Sequence, residues 1–482
     1  MDHDRSPGGR SAAGLRSKMM ASRKVQTQIT STQVAVIGAG AAGLQAADLL
    51  RRAHVPHVVL ESKGRAGGRI YSRADLGTGL DLVLDEGANL INSTDRVTLG
   101  LLRRFHIPFV QGTPPGTDHM IYFFDDQILN QAEIEARLFR SNPVALWKLN
   151  RDQQVRQMGE NQSLLRHLTD RSISDYLREL GADRLLTRLL DSFFWSEYGK
   201  LLPDLNAHVL HDYFAVDYGR RRFKLIPYTD EAYTVPRGTG QIAVELERLN
   251  HDEIRCEHTV TAVRSRGDTH HFQITCATPE HHVHVLADYI LFSVPLHAIS
   301  DIDIDVEELD RAALRQARGA TYASGVKLHL KFRPAFHDVY KFPGIFVTDT
   351  GEQIWVSSLG QRSGAGLLTV LTGPMPEDEA AVTARVERLL SQLDRLAPGV
   401  SALYVGFERT DAPKSYSGAL RPGETNQLRI NTDHGRWITI GEASGGALQG
   451  YLEGALASAT WRTKQLIAKL KPPIKRSRRA RP

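Results

Sequence analysis

The chain has 482 residues, a formal net charge of +5 from 60 Lys and Arg against 55 Asp and Glu, and 41% apolar residues. That length exceeds what one hydrophobic core usually serves, so two domains are expected, and the ordinary composition argues against a wholly disordered protein. The two cysteines, Cys256 and Cys276, stand in no metal or redox spacing, which excludes a disulfide framework and points to a reducing, cytoplasmic home; no apolar run is long enough to span a bilayer.

Residues 1–32 lack the continuous apolar stretch of a secretory signal and are expected to be a disordered basic leader. The tail 471–482, "KPPIKRSRRARP" with its first Lys at 471, is basic as well and is read as a solvated end, since no base-reading module accompanies it. Order is expected from "TQVAVIGAG", a short apolar strand running into glycines. "AAGLQAADLLRRAH" then has helical composition and "HVVLES" reads as a second strand, which completes a βαβ unit. A glycine-rich loop follows at Gly64–Gly68. Residues 93–228 are expected to be mostly helical, with strand-like sequence returning at "AYTVPRGTGQ". The helix "IAVELERL" precedes strands near Thr259–Val263, His271–Thr275 and Tyr289–Phe292.

"SGVKLHLKF" alternates apolar and basic residues, the pattern of a half-buried strand, and His329 and Lys331 are expected to face water. A region of mixed β and α follows. A helix over Glu377–Leu396 carries Val382, Val386, Leu389, Leu393 and Leu396 as one core-facing stripe. The last strand is "WITIGEASGG" and the last helix runs through "GYLEGALASATWRTKQLIAKL". The histidines 270, 271, 281, 282 and 284 read as a wet hairpin rather than a metal site, because no carboxylate or cysteine completes a ligand set. Arg237 reads as a surface-loop charge. "FFWSEYGK", residues 193–200, suits either core packing or a substrate tunnel.

Gly38-Ala-Gly40-Ala-Ala-Gly43 fits G-x-G-x-x-G between a strand and a helix. Gly38 permits the tight turn, Gly40 lets backbone approach a pyrophosphate, and Gly43 lets helix and strand pack closely. The free N–H groups at the helix start, around Ala42, then face phosphates. Glu61 ends the second strand at the distance where a carboxylate accepts from ribose hydroxyls. These residues alone specify a dinucleotide and do not separate NAD from FAD.

The following segment, Glu61-Ser-Lys-Gly-Arg-Ala-Gly-Gly-Arg69, resembles the E-x-R-x-R-x-G-G-R stretch of the flavin-dependent amine oxidase family, which includes monoamine, polyamine and L-amino-acid oxidases. Leu84-Asp-Glu-Gly-Ala-Asn-Leu90, Val235-Pro-Arg-Gly-Thr-Gly-Gln241, Thr259–Val263, Leu291–Pro295 and Ile440–Ser444 with Gly450–Ala455 are similar to further family motifs, in family order. The resemblance implies an α/β fold: a Rossmann-type (GR2-like) FAD-binding domain from 33–92, 233–298 and 420–470, with an inserted α+β substrate domain from 93–232 and 299–419.

The resemblance also implies FAD. It puts Glu61 on the adenosine ribose, Arg69 and Gly68 near the pyrophosphate, and Lys63 where the family usually has Arg. Gly87, Ala88, Asn89 and Leu90 pass the isoalloxazine, and Val260 offers its backbone to adenine. Glu442 sits by the ribityl–phosphate region, and the N–H groups of Tyr451 and Leu452 face the pyrimidine oxygen. Ser417-Gly-Ala-Leu420 stands where some members carry a flavin-linking cysteine, so non-covalent FAD is expected. Lys327 matches the family's K-V-x-L-x-F lysine, which holds a water against flavin N5.

Tyr451 matches one wall of the aromatic slot. Leu420 stands at the other, and Phe407 or Thr410 where a tryptophan is common. The expected activity is oxidation of an amine or amino acid to the imine by hydride transfer to N5, with oxygen reduced to hydrogen peroxide. The expected partners are that substrate and oxygen, and a homodimer is left open. Two alternatives stay open: a desaturase or protoporphyrinogen-type oxidase acting on C–C or ring C–H bonds, and a low-turnover flavoprotein acting through partner binding.

Overall fold

The computed structural model describes residues 28–75, 78–112, 120–159, 161–227, 229–267, 270–307, 309–340, 344–415, 417–418, 420–424 and 435–471. The expected leader up to residue 27 and the expected tail from 472 lie outside the described residues. The first strand, Gln28–Ile37, starts inside the stretch expected as leader.

This strand is the centre of an eight-stranded sheet. It pairs in parallel with His57–Leu60 on one side and His282–Phe292 on the other. Ile254–Arg255 extends the first side in parallel, and Trp437–Thr439 runs parallel to the last part of His282–Phe292. The antiparallel strands Phe272–Ala277 and Thr259–Ser265 continue the sheet from the first half of His282–Phe292 to Asp303–Asp305. Parallel strands covered on both faces read as continuous apolar runs. Accordingly Val34, Ala35 and Val36 of the first strand are each fully buried. The helix Ala41–Arg52 packs on one face together with Gln241–Leu249 and the last helix, Leu452–Leu470. Phe272, Ile274, Phe292 and Trp437 build the core on the opposite face.

A second, seven-stranded sheet runs in the order Tyr404–Ala412, Gly325–Phe332, Gly366–Thr372, Glu352–Val356, Ile345–Thr348, Met120–Phe124 and Gln127–Asn130. The helix Glu379–Leu396, capped by the Asp378 side chain, buries Val382, Val386, Leu389 and Leu393 against it, while Leu396 stays only partly buried. The segment 93–228 holds the expected helices, among them Pro143–Gln157, Arg184–Tyr198 and Ala207–Tyr213. It also holds two hairpins that were not expected: Met120–Phe124 with Gln127–Asn130, and Phe214–Asp217 with Arg222–Leu225. Both have buried apolar positions on short strands, which periodicity alone does not separate from helix. No helix among the described residues is long and apolar enough to cross a membrane.

The expectation that His329 and Lys331 face water is wrong. The strand Gly325–Phe332 is interior to its sheet and buried on both faces. Lys331 is 1% exposed and donates to Asp75 at 2.5 Å and also to Glu408. His329 is fully buried, and burial followed by the charges of Lys327, Arg73 and Lys331 lowers it to about 3, so the ring is neutral. Alternation marks two faces of a strand; here the second face meets buried carboxylates instead of solvent. Replacing Lys331 by methionine is expected to destabilise the protein by about 3–5 kcal/mol, because one partner of a buried ion pair is removed and the carboxylates stay behind. An unchanged urea midpoint would contradict this.

Candidate active site

The glycine loop connects the first strand to its helix through a turn that only glycine fits well. Gly38 has φ of +98°. A Cβ on Gly43 would lie 1.9 Å from the Gly38 carbonyl oxygen and 2.9 Å from Ser293 Oγ. Ser293 Oγ donates to the carbonyls of Ile37 and Gly38 at 2.8 Å, which fixes the turn. Gly40 is different, since a Cβ there would meet nothing within 4 Å. Gly40 is the N-cap of the helix Ala41–Arg52, and no side chain caps that end. The first-turn N–H groups near Ala42 therefore remain to receive an anion, with the helix dipole aligned.

A second glycine turn backs this loop. Gly40 and Gly67 form a parallel bridge, and a Cβ on Gly68 would lie 3.1 Å from Gly40 Cα. Glu61 ties the two turns together: one carboxylate oxygen accepts from the Ala39 N–H at 2.8 Å and the other from the Lys63 N–H at 2.9 Å. The Lys63 side chain is exposed. The Glu61 carbonyl also accepts from the His258 N–H at 2.8 Å, which brings the start of Thr259–Ser265, and so Val260, beside the loop.

Arg69 joins this end of the molecule to the last strand and helix. Its guanidinium lies 3.1 Å from Glu442 and donates to the Ser415 carbonyl at 2.6 Å. Glu442 in turn accepts from Ser417 Oγ at 2.5 Å and from the Tyr322 hydroxyl at 3.4 Å. A Cβ on Gly87 would lie 1.7 Å from the Arg69 carbonyl, so the 85–90 segment presses directly on Arg69.

Lys327 reaches this same segment from the second sheet. It is 9% exposed, and its ammonium donates to the Asp85 carbonyl at 3.3 Å and to the Gly87 carbonyl. The ammonium also lies 5.9 Å from the centroid of the Trp355 ring. Trp355 Nε1 donates to Asn89 Oδ1 at 2.7 Å, and Asn89 Nδ2 donates to Asp85 at 2.6 Å. Thr239 completes the clamp, donating its N–H to Asp85 at 3.0 Å and its hydroxyl to the Ala88 carbonyl at 2.5 Å. Burial pulls Lys327 down to about 8, against the pull of Asp85 and Glu86. Burial also raises Asp85, so desolvation outweighs their mutual attraction.

The unfolded chain holds the Lys327 proton up to the ordinary lysine range, whereas the folded protein releases it near 8. The destabilisation from burying this ammonium is therefore full below about 8 and is relieved as pH rises through the window above it.

The sequence-predicted residues thus form one continuous path: Gly38, Gly40, Gly43 and Glu61, then Gly68 and Arg69 with Glu442, then Gly87–Asn89 with Lys327. Leu90 and Tyr451 lie further along, packed against the core of the helical segment. Tyr451 is the N-cap of Leu452–Leu470, and no side chain caps that helix end either. Of the two tryptophan substitutes, Thr410 stands directly across from Lys327 in the sheet, and its hydroxyl is buried without a hydrogen-bond partner. Phe407 is paired with Leu330 and packs in the second sheet's core. Leu420 is core, so it supplies no ring wall.

The rings beside Tyr451 come instead from the helical segment. Tyr213 is coupled to the Tyr451 hydroxyl, and its ring centroid lies 5.3 Å from that of Tyr198. Of the 193–200 stretch, Phe193, Phe194 and Tyr198 are core, while Glu197 acts electrostatically on Tyr451. Tyr213 and Trp355 carried no signal in the sequence, because each lies in its own distant segment, whereas Thr239 lies inside the Val235–Gln241 motif. Arg237 is exposed on its loop. His270 pairs with Asp288 at 3.0 Å and His284 with Thr275 at 3.1 Å.

The uncapped helix end, the open side of Gly40, the backed glycine turns and the carboxylate between them fit a dinucleotide diphosphate. The comparisons with known proteins agree. The model of the family described as flavin containing amine oxidoreductase matches residues 41–461. A pseudooxynicotine dehydrogenase from Pseudomonas sp is 22% identical over 443 residues, covering 88% of this chain and 84% of that protein. Putrescine oxidase bound to putrescine is similar in structure with a TM-score of 0.70 at 16% identity, over 91% of this chain and 100% of that one. Cyclohexylamine oxidase from Brevibacterium oxydans IH-35A gives a TM-score of 0.70 at 16% identity, over 92% of this chain and 100% of that one. These structures share the mixed α/β fold. This chain belongs to the flavin containing amine oxidoreductase family and is an FAD-dependent, amine oxidase-type oxidoreductase.

Proposed function

We propose that the protein oxidises an amine to the imine at a site between Lys327 and Tyr451, in a Rossmann-type FAD-binding domain (33–92, 233–298, 420–470) facing a substrate domain (93–232, 299–419). FAD held there would supply the redox chemistry, the two-electron oxidation of the carbon–nitrogen bond to the imine by hydride transfer, with oxygen reduced to hydrogen peroxide. The protein's part is to hold the cofactor, orient the C–H bond and set the local charge.

The Gly38–Gly43 loop and the first-turn N–H groups receive the diphosphate. Glu61 stands at the ribose end, with Val260 beside it for the adenine. Arg69 and Glu442, paired at 3.1 Å, would hold the stretch between the phosphates and the ring, and Gly87 to Leu90 would pass beneath the ring. The N–H groups of Tyr451 and Leu452, at a helix end that no side chain caps, would turn the positive end of the last helix toward the ring and favour added negative charge there. Lys327 keeps an ammonium beside the 85–90 segment. Its contacts to the Asp85 and Gly87 carbonyls leave donor capacity for a water or the cofactor edge. Ser417-Gly-Ala-Leu420 supplies no thiol, so FAD is held non-covalently.

The observation that carries this reading is the meeting of Lys327, from the second sheet, with the 85–90 segment that follows the short hairpin of Ser72–Ala74 with Val83–Asp85. A peroxide screen across monoamines, polyamines and amino acids tests it. The expected result is a yellow protein that releases peroxide with one of these classes. Oxidation of a polyene or porphyrinogen, with no amine turned over, would contradict it.

A further inference from the structure

We propose that Trp355 is a positioning residue for the oxidation, its indole N–H locking the 85–90 segment through Asn89 and its ring face holding the Lys327 ammonium; this rests on the reading of the site given above. Trp355 lies in the strand Glu352–Val356. Its register partner is Thr369, and the next partner across the sheet is His329. Directly opposed residues share a face of a sheet, and every second residue of a strand returns to it. Trp355 therefore stands on the face that carries His329 and Lys327. It is 8% exposed and packs into the core of the helical segment, while its neighbour Ile354 turns into the core on the other face.

An indole offers a donor and no acceptor. Asn89 must then turn its carbonyl oxygen to Trp355, at 2.7 Å, and its amide NH2 to Asp85, at 2.6 Å. An ionised carboxylate only accepts, so the chain from Trp355 through Asn89 to Asp85 runs in one direction, and the indole sets it. Asp85 is fully enclosed and also accepts from the Ser72 hydroxyl and the Thr239 N–H. Without the indole nothing fixes which end of the Asn89 amide faces Asp85, and a turned amide would set two acceptors against each other.

The same ring serves Lys327. The ammonium lies 5.9 Å from the indole centroid, within the reach of a ring face for a cation, and tryptophan is the ring that holds a cation best. Burial pulls Lys327 down to about 8, and the charge of Asp85 opposes that pull. Trp355 acts on both sides of this balance. Its face favours the ammonium directly, and its N–H keeps the Asn89 donor on Asp85, which favours the carboxylate that attracts Lys327. Both effects raise Lys327, so removing the indole lowers it. One side chain thereby holds the 85–90 segment in place and keeps the neighbouring lysine charged.

The test uses the holoenzyme and two readouts: the dissociation constant of FAD, from the free FAD released on dilution, and the pH midpoint of reoxidation by oxygen. Trp355→Phe keeps a ring and loses the N–H, so FAD is expected to bind about tenfold more weakly. Asn89→Ala is expected to weaken it similarly, and Trp355→Phe added to Asn89→Ala to weaken it little further, because both remove one bond. Trp355→Leu loses the ring as well, and its reoxidation midpoint is expected about one unit lower than the wild type's, while Trp355→Phe moves it less. FAD held by Trp355→Phe as tightly as by the wild type overturns the inference, as does a loss that repeats in full on top of Asn89→Ala; both are decided whether or not Trp355→Leu folds. A Trp355→Leu midpoint at the wild-type value overturns it too. Each of these leaves the amine oxidase reading intact. A wild type without flavin, or with a flavin that no amine bleaches, removes that reading and this inference with it.

Discussion

Replacing Lys327 by methionine is expected to slow the oxygen-dependent reoxidation of the bound flavin about 100-fold, the scale of removing one preorganised electrostatic donor from an enclosed site. Methionine keeps much of the lysine's length but none of its donors or charge. The carbonyls of Asp85 and Gly87 lose their partner, so a stability loss of about 1–3 kcal/mol is also expected. Reduction by amine without oxygen, followed separately in a stopped-flow instrument, shows whether the effect belongs to the oxygen step. Because burial brings Lys327 to about 8, the wild-type reoxidation rate should fall as pH rises through that value, and the variant's profile should be flat. A variant with the wild-type rate and profile would reduce Lys327 to a structural cation that pins the 85–90 segment.

The second large effect is expected at the glycine loop, where two neighbouring positions should behave differently. Gly43→Ala drives a Cβ to within 1.9 Å of the Gly38 carbonyl, which is backbone and cannot swing aside. Such overpacking costs about 1–3 kcal/mol or more, so melting temperature and flavin content should both fall. Gly40→Ala meets no atom of the protein within 4 Å, and its φ of −72° suits alanine. That variant should melt like the wild type without cofactor but bind FAD about tenfold or more weakly, since the added methyl stands where backbone must approach the diphosphate. Equal flavin content in Gly40→Ala and wild type would contradict the placement of the phosphates.

The parts of the site that sit on one short segment were legible in the sequence. Strand, glycine turn, helix and second strand follow each other within residues 28–60, and local period and turn chemistry specify them. Lys327 was legible through its motif, but its setting was not. The alternation of Gly325–Phe332 separates two faces without saying what covers each. Only the sheet order shows that Asp75 and Glu408 meet Lys331, and that Thr369 meets His329 at 3.3 Å. The same limit hid the hairpin Met120–Asn130, whose apolar run joins the second sheet in parallel with Ile345–Thr348, more than two hundred residues later. It hid the far end of the site most completely. Glu197 and Tyr213 come from two different helices, and neither has a motif. The missing aromatic at Leu420 could be noticed in the sequence, and the 193–200 stretch that holds Tyr198 was read as core or tunnel; the ring of Tyr213, which meets Tyr198 at 5.3 Å, could not be foreseen.

The most direct test of the central claim is an anaerobic titration of the purified holoenzyme with an amine, followed by visible absorbance. The account predicts a flavin spectrum that amine bleaches and that admitted oxygen restores, with peroxide formed in step. A protein without flavin, or a flavin spectrum that no amine bleaches, would contradict it.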